Sequence, residues 1–129
     1  MPVIYQIDGG DRLIRTRCIG DVTFAEVVDH FRALQGDPDF AGAIDVLLDL
    51  SELSSIPTSN QIRSISVEIE GIRSKAQFGA CAVVATREVV YGMSRMFEAV
   101  AAEGFRRMHV FRRVEEAEDW LRTGPASGS

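Results

Sequence analysis

The stretch Ile44–Leu50, IDVLLDL, constrains the fold more tightly than any other part of this chain. A strand with one wet face alternates apolar and polar residues. A nearly continuous apolar run instead suits a strand buried on both faces, at the centre of a parallel α/β sheet. The run closes on Asp49-Leu50-Ser51, a short loop follows, and a hydroxyl-rich helix start comes next at Thr58 and Ser59. Open α/β sheets place their binding sites at the carboxyl ends of such strands. The segment therefore predicts a location for function without naming a chemistry.

Other elements assemble around it. Val3–Ile7 reads as a short strand, and Asp8-Gly9-Gly10-Asp11 supplies the turn that returns the chain through Arg12–Ile19 as a hairpin. Thr23 opens a first helix, with Glu26 completing a capping box. Phe24, Val27, Val28, Phe31 and Leu34 form its buried stripe, and Gly36-Asp37-Pro38 stops it. A second helix starts near Thr58 or Ser59, with Gln61 in the reciprocal position and Ile62, Ile65, Ile69 and Ile72 as a narrow seam. Phe78–Ala85 is a second buried strand. Arg87–Glu103 is a third helix, facing inward through Val90, Met93, Phe97, Val100 and Ala101 and ending at Gly104 as a C-terminal cap. Arg106–Arg112 is the last strand, and a final helix from about Val114 buries Ala117, Trp120 and Leu121. The expected fold is α/β: a single-layer, mostly parallel sheet with an antiparallel first strand and four β-α units, in the order β-β-α-β-α-β-α-β-α. Right-handed crossovers wind such units onto one sheet. Residues 1–124 read as one domain and 125–129 as a flexible C-terminal tail.

Composition narrows the function classes. The 129 residues are 46% apolar and 26% charged, as in an ordinary globular domain, and the formal charge is −5. That balance disfavours nucleic acid, whose partners carry a basic face. Lys75 is the only lysine, so the arginine excess reads as a compositional habit rather than a phosphate-binding signal. The start MPVIYQID has no secretory pattern, and no apolar run reaches the ~20 residues of a membrane span. A cytoplasmic location is the expectation. Cys18 and Cys81, far apart in predicted strands, read as reduced core residues rather than a disulfide.

The central segment, with its four strand-helix units, resembles the STAS domain of bacterial anti-sigma-factor antagonists. In that family a strand ending Asp-Leu-Ser leads to an Asp-Ser-Ser/Thr-Gly helix start, where a partner kinase phosphorylates a hydroxyl. Asp49-Leu50-Ser51 matches the first motif, and Pro57-Thr58-Ser59-Asn60 stands in the second. Pro57 replaces the family's Asp and Asn60 its Gly, while Thr58 and Ser59 keep hydroxyls. Over residues 3–122 the chain resembles more closely the SpoIIAA-like group of stand-alone bacterial proteins, which is grouped with STAS and CRAL-TRIO lipid-binding domains. The resemblance implies a signalling module with a protein partner.

Each candidate site has an ordinary structural explanation beside a functional one. Thr58 and Ser59 are good helix caps; the alternative is a phospho-acceptor or an anion contact at a helix N-terminus. Asp49, Ser51, Ser54, Ser55 and Pro57 form a candidate interaction loop, in which Asp49 organises backbone N–H groups and the serines satisfy the turn. Arg87, Tyr91 and Arg95, at i, i+4 and i+8, present either a solvated face with a stacked Arg-Tyr pair or a rim for an acidic partner or ligand. His30 and His109 are expected to be solvated. No metal-ligand spacing joins them to the cysteines, no cofactor fingerprint is present, and no catalytic set emerges.

The leading expectation is a non-catalytic protein-interaction module of STAS type, able to form a homodimer and regulated at Thr58 or Ser59. The alternative is a small carrier holding an apolar or lipid-like ligand between the isoleucine seam and the methionine-rich third helix, which calls for a cavity of at least ~300 Å³. An enzyme would require convergent titratable groups, with Asp49 and Arg95 the first pair to inspect.

Overall fold

Sequence neighbours become neighbours in space: the sheet order is β1-β2-β3-β4-β5. These strands are β1 Val3–Asp8, β2 Leu13–Gly20, β3 Gly42–Leu53, β4 Ala76–Val84 and β5 Arg107–Phe111. The first pair is antiparallel and the other three are parallel. Helices α1 Phe24–Gly36, α2 Ser59–Ile72, α3 Glu88–Val100 and α4 Val114–Gly128 connect or follow them. The computed structural model describes residues 3–8, 10, 12–40, 42–55, 58–72, 76–100, 105 and 107–128, with side chains described for these except 59, 66, 69, 72, 76, 77, 100 and 123–128. The expected cap at Gly104 lies outside the described residues, as do the side chains of Ile69 and Ile72.

β3 is the middle strand, and its alternation explains the unbroken apolar run. Ile44, Val46 and Leu50 belong to one core, together with Leu34 of α1, Val90 of α3 and the partly buried Ile65 of α2. Leu47 belongs to a second core on the opposite face, with Leu13, Ala80, Ala82 and the α4 residues Ala117 and Leu121. Helices α1–α3 thus cover one face, as right-handed crossovers between sequential strands require, and α4, which follows the last strand, covers the other. Small residues on β4 let α4 approach closely, and Arg15 of β2 reaches Glu118 of α4 at 2.9 Å.

β3 is longer at both ends than the apolar run alone suggests, and two of its aspartates lie beside irregularities in the sheet. Between Ile44↔Phe78 and Val46↔Cys81 the register gains a residue on β4. There Asp45 Oδ1 accepts the Ala80 N–H at 2.8 Å. Between Arg17↔Asp49 and Ile19↔Glu52 it gains a residue on β3. There Asp49 Oδ1 accepts the Ser51 N–H at 2.9 Å and the Ser51 hydroxyl at 2.6 Å. Each carboxylate satisfies a backbone donor beside a break in the ladder.

The helix starts follow their capping residues. Thr23 Oγ1 accepts from Glu26 N at 3.2 Å, while Thr23 N donates to Glu26 Oε1 at 2.8 Å. Thr58 and Gln61 repeat the exchange at the start of α2, with Gln61 N to Thr58 Oγ1 at 3.1 Å and Thr58 N to Gln61 Oε1 at 2.9 Å.

Candidate functional site

The layer between α1–α3 and the sheet is not fully packed. It leaves a partly open hollow of ≈160 Å³ with an overwhelmingly apolar lining. The sheet supplies Ile14, Val46, Leu48 and Cys81; α1 supplies Phe24, Val27 and Phe31; α2 supplies Ile62 and Ile65; and α3 supplies Met93 and Phe97. The half-buried stripe of α1 therefore faces space as well as side chains: within that helix only Leu34 is fully buried. The isoleucine seam and the methionine-bearing helix do flank a hollow, as a carrier requires. Its volume is about half the ~300 Å³ at which ordinary ligand pockets begin, too small for a lipid of ordinary size.

Among the described residues, no Asp, Glu, Lys or Arg lines the cavity. Its polar groups are few, and two stand out. Ser94 of α3 is only 1% exposed, and its Oγ has no hydrogen-bond partner. His30 of α1 has Nδ1 equally buried and unpartnered. Burial pushes the His30 imidazole down to a pKa of about 4, so the ring is neutral at pH 7. This corrects the expectation of a solvated His30. The apolar stripe of α1 is wide enough to include it, and the Tyr5 ring of β1 meets its edge with centroids 5.3 Å apart. His109 keeps half of its side chain exposed, stacked edge-on against Phe111.

The sequence-derived candidates do not converge on one point. Thr58 is exposed and its oxygen serves the α2 cap; the Ser59 side chain and Pro57 lie outside the described residues. Leu48 and Leu50 line the cavity, so Asp49 between them belongs to the opposite face of the sheet. The strand runs through Leu53, so Ser51 sits within β3 rather than in a loop. Ser54 N donates to Gly20 O at 2.8 Å. Ser55 Oγ accepts from Val22 N at 2.8 Å and contacts Val22 O at 3.2 Å, fastening the chain after β3 to the chain after β2. Arg87 donates to Leu53 O at 3.1 Å. Tyr91 lies under Arg112, 4.0 Å from the ring centroid, rather than under Arg87 or Arg95. Arg95 pairs with Glu98 at 3.4 Å on α3. Asp49 and Arg95 thus stand on different sides of the sheet and form no pair.

Both cysteines line the cavity as free thiols. Burial raises their pKa values, Cys18 to about 11 with a further push from Asp49, and Cys81 more strongly with a further push from Asp45. Among the described residues no group of acidic, histidine or cysteine side chains could hold a metal ion. Among them, too, no helix is long and apolar enough to cross a membrane.

The SpoIIAA-like family profile matches residues 13–122, nearly the whole sheet and all but the end of α4. The chain belongs to the SpoIIAA-like family. An uncharacterized protein from Shewanella loihica PV-4 with a SpoIIAA-like fold superimposes with a TM-score of 0.62 at 16% sequence identity, covering 92% of this chain and 91% of that one. At that identity the likeness concerns the fold alone, a five-stranded sheet with four helices consistent with a STAS-type module. No curated protein sequence matches the chain. Within the SpoIIAA-like frame, sequence reasoning missed His30 and Ser94. A signal was present: His30 follows Val27 by three residues and precedes Leu34 by four, and Ser94 stands likewise between Val90 and Phe97. Both are polar residues at inward positions of an apolar stripe.

Proposed function

We propose that this SpoIIAA-like protein is a non-catalytic binding module that holds a small, mostly apolar ligand between α1–α3 and the sheet. The cavity of ≈160 Å³ supports this reading. An engineered hollow of ~150 Å³ lined by Leu, Ile and Phe stays dry and binds benzene. Among the described residues the lining offers no carboxylate, lysine or arginine to act as an acid or base, and its histidine is neutral. Native and denaturing mass spectrometry of the protein purified from its own organism tests the proposal. Extra mass that disappears on denaturation, and is absent from a Leu48→Phe variant whose larger ring fills the hollow, is the expected result. Equal native and denatured masses, with no rise in melting temperature on adding toluene, would remove the carrier reading.

A second reading is protein contact at the start of α2. It is supported by the exposure of Thr58, whose hydroxyl proton is not needed for the cap. In this reading a partner docks on the chain after β3, and phosphorylation of Thr58 or Ser59 adds roughly −1.5 to −2 charges there. Covalent phosphate mapping to either residue, and altered partner capture by the Thr58→Ala/Ser59→Ala double variant, are its expected signatures. A double variant that captures partners as the parent does would end it.

A further inference from the structure

We infer that the cavity selects an uncharged ligand about the size of one substituted benzene ring, bearing a single hydrogen-bonding group that pairs with Ser94 Oγ or His30 Nδ1. This rests on the ligand-holding reading above and narrows it to a chemical class. Size sets the first limit, since ≈160 Å³ is close to the volume that admits benzene and far below what an acyl chain with a headgroup needs. Charge sets the second. With no ionised side chain on the wall among the described residues, a carboxylate or ammonium would enter without a described partner, which is prohibitively unfavourable at low dielectric.

The polar atoms set the third limit. Among the described residues three buried side-chain polar atoms have no hydrogen-bond partner, and two of them belong to cavity-lining residues, His30 and Ser94. Leaving a buried donor or acceptor unsatisfied is unfavourable, and the Ser94 hydroxyl is buried on a helix whose next inward residues are Met93 and Phe97. A hydroxyl both donates and accepts, and a neutral imidazole offers Nδ1 in either role according to its tautomer. The low pKa of His30 keeps the ring in that neutral form. A phenol, an alcohol or a ketone meets these demands; a pure hydrocarbon leaves both atoms unpaired.

Three probes sharing one ring and one methyl group test this by calorimetric titration at pH 7: toluene, p-cresol and p-toluate. A wall without available polar partners favours toluene, because the phenol must shed its water without replacement. The inference expects the opposite order, with p-cresol tighter by roughly threefold to tenfold and p-toluate undetected. Either Ser94→Ala or His30→Phe should reverse the order. Ser94→Ala deletes an unpaired hydroxyl and should fold at least as stably as the parent, so its result is interpretable. Tighter toluene in the parent, or a ratio unchanged in both variants, overturns the inference while leaving an apolar carrier. Binding of p-toluate as strong as that of p-cresol overturns the uncharged class. If none of the three binds, the carrier reading falls and this inference with it.

Discussion

Replacing Gly79 by alanine should unsettle the sheet through one carboxylate. A Cβ built on Gly79 would lie 2.3 Å from Asp45 Oδ1 and 3.7 Å from the Ile44 carbonyl oxygen. The backbone oxygen is at an ordinary contact distance and the carboxylate alone collides, so Asp45 must turn away. Turning breaks its 2.8 Å bond to the Ala80 N–H, and Ala80 is 3% exposed. A hydrogen bond to a charged group contributes about 1.5–3 kcal/mol, and that range is the expected loss for Gly79→Ala. Asp45→Ala removes the same bond and should lose a similar amount. In the double variant the clash has gone along with the bond, so the combined loss should be close to that of either single change. Urea unfolding followed by the fluorescence of Trp120, the only tryptophan, measures all three. Losses that add to within ~0.5 kcal/mol would refute the claim that Gly79 exists to make room for Asp45.

The two capping boxes should behave alike: Thr23→Ala and Thr58→Ala are each expected to lower stability by about 1 kcal/mol, read from thermal melts. A Thr58→Ala variant as stable as the parent would show that the hydroxyl does not serve the helix. His30 predicts a pH dependence. Its folded pKa of about 4 lies below the ordinary 6.5, so the unfolded chain binds the proton first as pH falls. Stability from this group is full above about pH 6.5 and is lost as pH drops toward 4, by ~3 kcal/mol. Subtracting the profile of His30→Phe from that of the parent isolates it, and a flat difference would refute the buried neutral ring. Cys81 is 1% exposed with a raised pKa, so its alkylation at pH 8 should proceed only as fast as the protein opens. A rate near that of a free thiol would contradict its burial.

Patterns that repeat along the chain were legible from sequence. The doubly buried β3, the Thr23 and Thr58 caps and the β-β-α-β-α-β-α-β-α order each follow from local spacing. So does the common placement of α1–α3, because right-handed crossovers between sequential strands leave little choice. The length of β3 was not legible. Asp49 reads from sequence as a carboxylate organising backbone N–H groups and does so, but Asp45 looks like an interruption of an apolar strand, and only the three-dimensional register shows the bulge beside each. The solvated reading of His30 failed for a related reason. An imidazole beside Asp29 in sequence resembles a polar face, yet α1 packs against β1 as well as α2, and the Tyr5 ring of β1 covers His30. On the Arg87, Tyr91 and Arg95 face the stacked pair has a different arginine: Arg112, from the chain after β5, takes the Tyr91 ring. No spacing rule within one helix could reveal that.

The hollow itself has an energetic argument behind it. At ~24 cal/mol per Å³, a void of ≈160 Å³ lowers stability by about 4 kcal/mol, against the ~5–15 kcal/mol that holds a typical domain together. Filling it would be simple in principle, since Leu48 is only half buried and lies on the wall. The opposite face shows that this chain can pack tightly, with Ala80, Ala82 and Ala117 all at most 3% exposed under α4. The cavity face carries the larger of the two cores and tolerates the deficit within it. On the proposed reading the deficit is recovered by occupancy: a ligand at a hundred times its dissociation constant contributes about 2.7 kcal/mol. Occupancy and stability are then coupled, and the helices that wall the cavity, including the one that begins at Thr58, are the elements whose order the ligand controls.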